Sequence, residues 1–141
     1  MVKYITLVTI ITLNFCGYSQ TLKEVQKLEN KYQECLDSGN AMKKCSEDFY
    51  DTSDSLLNVS YRNLKIKLSS TEQNFLKIEQ RKWLKKRDVY FDKAYQETIK
   101  IYGNQTESND FKMIVIDKQS DFVIIRVKEL IKRRNKIKVY M

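Results

Sequence analysis

The chain has 141 residues, enough for one domain, and carries a formal charge of +8 from 26 Lys and Arg against 18 Asp and Glu. It contains no histidine, which excludes Ser-His and Cys-His catalytic sites and every His-ligated metal site. It also contains no proline and only three glycines, which excludes glycine-rich phosphate loops and favours long helices.

Residues 1–19 have the pattern of a signal peptide. A basic start precedes an apolar run of about a dozen residues, shorter than the roughly 20 that a bilayer-spanning helix needs. Gly17 and Ser19 supply the small residues of a cleavage site. We therefore predict an exported domain at residues 20–141, either periplasmic or secreted.

A lipoprotein anchor through Cys16 is the alternative interpretation of the leader. It is disfavoured, because Phe15 stands where a small residue is required.

Cleavage would leave 25 basic and 18 acidic residues, a net charge of +7. This balance favours acidic partners such as anionic envelope polymers or lipid headgroups. Export makes nucleic acid the least favoured of them.

Cleavage would also leave Cys35 and Cys45 as an even pair in an oxidising compartment. We predict that they form a disulfide. The alternative is two free, buried thiols.

Helical structure is predicted throughout the first half of the domain. Apolar residues recur at helical spacing from Leu22 to Leu36, and turn residues follow at 37–40. A short helical stretch then carries Met42 and Cys45, so that the disulfide would staple it to the first helix. The apolar stripe then continues from 47 to 68.

A long helix is predicted from the serines at 69 and 70 to Tyr102. Ser69 with Glu72, or Ser70 with Gln73, is a capping-box start. A glycine at 103 ends the helix.

The segment from Phe111 to Val127 allows two interpretations. Its many β-branched residues are typical of strands. However, Val123, Val127 and Leu130 fit helical spacing, and no hairpin signal interrupts the run, so we predict a helix. The predicted fold class is all-α, a small antiparallel bundle of three long helices plus a short disulfide-stapled one.

Two neighbouring helices carry polar residues on one face each. The set on the first is Asp54, Asn58 and Tyr61, and the set on the second is Gln80, Trp83 and Arg87. In an antiparallel hairpin about residues 69 and 70, Asp54 faces the neighbourhood of Arg87. Such a set can be an active centre, a ligand contact or a structural polar network. We predict the network, because buried polar groups must satisfy one another.

Three motifs follow one another along the same part of the chain. Cys35, Met42 and Cys45 form C…M-x-x-C; Asp54, Leu57, Asn58 and Tyr61 form D-x-x-L-N-x-x-Y; Gln80, Arg81, Trp83, Arg87 and Asp88 form Q-R-x-W-x-x-x-R-D. In this order and spacing they resemble the signature of the lysozyme inhibitor LprI-type N-terminal domain family. The resemblance covers 35–88 closely and extends more weakly to Gly103 and to 126–130.

The resemblance implies an exported, helical, disulfide-bearing domain whose partner is an envelope protein. Lysozyme, the target in the family's name, or another cell-wall hydrolase is the expected partner. It also implies two further cysteines, one soon after the R-D pair and one near the C-terminal helix, and this chain lacks both. Tyr90 and Phe91 follow the pair instead, and we expect aromatic packing by Phe91 and Trp83 to hold this half together.

The C-terminal helix ends in a basic segment. Its members are Lys128, Lys132, Arg133, Arg134, Lys136 and Lys138. They either complement the helix dipole or contact an anionic polymer or lipid. Surface association through this segment is the alternative function. No cofactor, metal ion or catalytic residue is predicted, although Glu47 with Asp48, or Asp51 with Asp54, are carboxylate pairs of the kind that glycosidases use.

Overall fold

The computed structural model of the protein describes residues 21–137, which form four helices and no strand. The helices are α1 (Leu22–Asp37), α2 (Met42–Lys65), α3 (Ser70–Tyr102) and α4 (Asn109–Lys136). The all-α prediction is therefore confirmed, and the segment from 111 to 127 is helical. The predicted signal peptide lies outside the described residues.

Local sequence sets the helix ends. Thr21 and Ser69 each form a capping box, with Glu24 and Glu72 respectively, and Gly103 ends α3 with a φ of 58°. The predicted start of α3 at Ser69 is thus confirmed. The stretch around Met42 differs from the prediction, because it is the first turn of the long α2 rather than a separate short helix.

The disulfide between Cys35 and Cys45 is present and joins the end of α1 to the start of α2. The two Cα atoms are 5.9 Å apart. Beside the bridge, the rings of Tyr32 and Phe49 stack at 4.4 Å, so that α1 is fixed to α2 by both a covalent bond and an aromatic contact.

Helix α4 is the centre of the bundle. It packs along α2, contacts α3 over a shorter length, and also touches α1. Half of the main core cluster comes from α4, namely Val123, Ile124, Val127, Leu130 and Ile131. Because α2 and α3 both pack on α4, they make few direct contacts with each other. This separation leaves space between them.

Aromatic rings hold the middle of α3 to α4. Phe122 of α4 lies 5.5 Å from Trp83 and 4.5 Å from Tyr90, measured between ring centroids, and meets Phe91 edge-on. Phe91 also contacts Tyr50 of α2. The expected packing by Trp83 and Phe91 is therefore present.

Candidate functional site

An open groove of about 350 Å³ lies between α2 and α3. Its lining consists of Asp54, Leu57, Asn58 and Tyr61 from α2 and of Lys77, Gln80, Arg81, Leu84 and Arg87 from α3. The α2 residues are spaced i, i+3, i+4 and i+7, and those of α3 continue the same periodicity, so each set occupies one helix face. The groove therefore has a wall from each helix.

The two walls differ in chemistry. The α2 wall presents the Asp54 carboxylate, the Asn58 amide and the Tyr61 hydroxyl. The α3 wall presents one amide and three cationic side chains. One wall is thus rich in hydrogen-bond acceptors and the other in donors, an arrangement that suits a ligand carrying both kinds of group.

Five of the six predicted network residues line this groove. The sixth, Trp83, turns towards α4. Asp54 and Arg87 lie on opposite walls but form no ion pair in the described part of the chain: Arg87 donates to Asp88 at 2.8 and 3.0 Å and lies over the Phe91 ring. The structural role of the set stays a prediction.

Seven of the nine groove residues also belong to the motifs D-x-x-L-N-x-x-Y and Q-R-x-W-x-x-x-R-D. The family model described as "Lysozyme inhibitor LprI" matches residues 33–130, more than half of the chain. The chain belongs to the LprI lysozyme-inhibitor family. No curated protein and no solved structure matches it.

A buried arginine behind the groove joins α3 to α4 in this LprI-family domain. Arg126 is 5% exposed, and its guanidinium donates to Glu79 at 2.8 Å, to Gln80 at 3.1 and 3.2 Å, and to Glu129 at 3.1 Å. Its cation also lies 5.9 Å from the centroid of the Trp83 ring. Gln80 thus connects the groove wall to this network.

Sequence reasoning missed Arg126. The available signal was its position within the apolar run 122–131, three residues after Val123 and four before Leu130, where a core side chain is expected. Burial alone would raise the pKa of Glu79, but the hydrogen bonds from Arg126 and Arg133 outweigh it and hold that pKa below its usual value.

A second polar contact ties α1 to α4. The Tyr32 hydroxyl donates to Asp117 at 2.5 Å and lies 3.1 Å from the Ser46 hydroxyl. Burial, together with the bond to Asp117, raises the pKa of Tyr32 to about 12. The phenol therefore stays protonated and keeps donating at neutral pH.

The basic segment of α4 is partly engaged within the protein. Lys128 donates to Glu29 at 2.6 Å, and Arg133 binds Glu79 at 2.7 Å. Arg134 donates to the side chain of Asn135. The side chains of Lys132 and Lys136 are exposed, and Lys138 lies outside the described residues. Contact with an anionic surface through the six residues together stays a prediction.

The acidic side chains at the start of α2 are mostly paired. Glu47 pairs with Lys43, and Asp48 pairs with Lys44. Residues 21–137 contain no cluster of three or more His, Cys, Asp and Glu side chains that is suited to a metal ion. In the same range, every helix is too short or too polar to cross a membrane.

Proposed function

We propose that this chain is an exported binding module of the lysozyme-inhibitor type, and that it binds a muramidase through the groove between α2 and α3. The observation that carries the proposal is the groove lining: seven of its nine residues belong to the motifs D-x-x-L-N-x-x-Y and Q-R-x-W-x-x-x-R-D. Family membership supports the inhibitor type, and the groove supplies a surface for it.

The solvation of the groove favours recognition over a purely structural role. Asn58, Lys77 and Arg81 are exposed, and Asp54 and Arg87 are half-buried. A structural network would place such groups in contact, because a polar group buried without a partner costs free energy. Here they face each other across open space, where a partner's side chains can enter and complete their hydrogen bonds.

The charge of the domain limits how a cationic muramidase can approach. A net charge of +7 after leader cleavage repels such a partner at long range, so the contact needs a local acidic site. Asp51 and Asp54 supply one, because they are three residues apart on α2 and no Lys or Arg within residues 21–137 forms an ion pair with either. A basic side chain of the muramidase that enters the groove would meet Asp54.

Export is proposed on two grounds besides the leader at 1–19. The disulfide between Cys35 and Cys45 is typical of proteins that fold in an oxidising compartment. The family is also one of lysozyme inhibitors, whose target acts on the cell wall.

The test is muramidase inhibition by groove variants. We expect the purified protein to inhibit a lysozyme-type muramidase, and Asp54→Asn combined with Asn58→Ala to weaken inhibition by about tenfold or more, as for loss of a central interface contact. Glu34→Gln is the charge-matched control, because Glu34 is exposed on α1, away from the groove. Equal inhibition by the groove double variant and the control would refute the groove as the binding site.

A separate outcome tests the inhibitor function itself. If the unmodified protein inhibits none of several muramidases and none binds to it, the inhibitor function itself is wrong. Surface plasmon resonance with the same enzymes distinguishes the two cases, because it detects binding that leaves activity unchanged.

A further inference from the structure

The positive charge of the protein is concentrated at one end of the bundle. This end contains the last turn of α2, the α2–α3 turn, the first three turns of α3 and the last turns of α4, that is, residues 62–82 and 129–137. The contact between Arg133 and Glu79 shows that the end of α4 lies beside the start of α3. We call these two segments the basic end.

The charge difference between this end and the rest of the chain is large. The basic end has ten Lys and Arg against three Glu, a net charge of +7. The remainder of residues 21–137 has fourteen basic against fifteen acidic residues, a net charge of −1. The described domain is therefore a strong electrostatic dipole, and any anionic surface would orient it with the basic end forward.

The three acidic residues of the basic end are all engaged internally. Glu72 closes the capping box of α3, Glu79 binds Arg126 and Arg133, and Glu129 binds Arg126. None of the three is left to neutralise the exposed lysines nearby. The exposed lysines at this end include Lys67, Lys82, Lys132 and Lys136.

The same end also exposes large apolar side chains. Ile66 is 75% exposed, Phe75 67% and Ile78 52%. Phe75 and Ile78 are three residues apart and so lie on one face of α3, while Ile66 is the C-cap of α2, just before the turn. Apolar side chains among lysines match the interface of an anionic bilayer, where the charges meet headgroups and the apolar groups enter the acyl boundary.

We propose that the basic end docks the protein on an anionic phospholipid membrane. The apolar side chains favour a bilayer over a soluble anionic polymer, because a polymer pairs with lysines but offers no apolar layer for Ile66, Phe75 and Ile78. The proposal goes beyond muramidase inhibition and does not rest on it, since it concerns an end of the bundle and not the groove.

The test is sedimentation with vesicles. We expect binding to phosphatidylglycerol–phosphatidylcholine vesicles and little binding to pure phosphatidylcholine. Lys67→Gln with Lys136→Gln should weaken partitioning about 25-fold, at about fivefold per lysine. The matched control is Lys31→Gln with Lys100→Gln, two exposed lysines far from the basic end, because Lys31 lies one turn before the Cys35–Cys45 bridge and Lys100 lies in the last turn of α3. It should change partitioning by less than about threefold.

A second double variant distinguishes insertion into a lipid bilayer from purely electrostatic association. Ile66→Ser with Phe75→Ser should weaken vesicle binding by about tenfold or more, because the inserted apolar area is lost while the charge is unchanged. Unchanged binding by this variant would overturn docking on a bilayer in favour of purely electrostatic association. Absence of binding to anionic vesicles at low salt, or equal effects of the two lysine pairs, would also overturn the proposal.

Discussion

Replacing Arg126 with methionine should loosen α3 from α4 more than any single change on the surface of α3. The arginine side chain is only 6% exposed and donates hydrogen bonds to Glu79, Gln80 and Glu129. Few other polar contacts join the two helices, and α3 buries only three of its own residues, Leu76, Ala94 and Thr98. Methionine keeps most of the apolar stem and removes the guanidinium.

The expected loss of stability depends on how exposed the carboxylates bound by Arg126 are. Breaking a fully buried ion pair costs about 3–5 kcal/mol. Here the side chains of Glu79 and Glu129 are 43% and 53% exposed, and Glu79 retains Arg133, so neither is left as an unsolvated charge. We therefore expect Arg126→Met to lower the free energy of unfolding by about 2–3 kcal/mol, or the urea midpoint by about 1–1.5 M at an m-value of about 2 kcal/mol/M.

The matched control is Arg133→Met, which removes the outer, exposed contact to the same Glu79. Its cost should stay below about 1 kcal/mol, because both partners are 43% exposed and screened by solvent. Urea denaturation followed by circular dichroism measures both variants, and hydrogen exchange should show the added opening in α3 rather than in α2. A cost for Arg126→Met no larger than that for Arg133→Met would refute the assignment of Arg126 as the main polar link.

Three further predictions concern the disulfide, pH and the start of α2. Cys35→Ser with Cys45→Ser should lower the free energy of unfolding by about 2–3 kcal/mol, because the bridge closes a short loop; an unchanged urea midpoint would contradict this. Glu79 has a lowered pKa, so its contribution is present above its unfolded value of 4.5 and is lost as pH falls below it. Glu79→Gln should therefore flatten the acid-side decrease in stability, measured by urea denaturation from about pH 6 to about pH 3. Ala41→Gly should raise the free energy of unfolding by about 0.5–1 kcal/mol, and with it the melting temperature, because Ala41 has a φ of 49°, which glycine adopts without strain. A lower melting temperature would show that the greater conformational entropy of glycine in the unfolded chain outweighs this relief.

The fold was largely predictable because local signals agree with one another. The scarcity of glycine and the absence of proline allow long helices, and Ser69 with Glu72 marks the start of α3. The pair Cys35 and Cys45 was predictable from an even count and a leader. The single α2 was not, because the stretch with Met42 and Cys45 was predicted as a separate short helix, whereas the chain passes from Ala41, in the αL conformation, directly into one helix that continues to Lys65.

The site was less predictable, for a physical reason. The periodicity of α2 and α3 indicates which side chains share a face, but not how far apart the two helices lie. That distance depends on α4, whose apolar residues pack against both of them. An Asp54–Arg87 ion pair requires close packing of α2 on α3, and the groove occupies that space instead. Arg126 and its partner Glu79 are 47 residues apart, so no local pattern connects them.

The distribution of burial indicates which helix is free to interact. Helices α1, α2 and α4 are joined by the disulfide, by the Tyr32 contacts and by the main apolar core. Helix α3 is attached to α4 by ring contacts to Phe111 and Phe122 and by ion pairs to Lys118, Arg126 and Arg133, and it buries only three of its own residues. Five of the nine groove residues, as well as Phe75 and Ile78 of the basic end, lie on α3. A helix with few buried contacts has the lowest local stability and can adjust its position at the least cost. A muramidase that enters the groove would therefore displace α3 rather than α2, so the hydrogen exchange of α3 should change more on binding than that of α2.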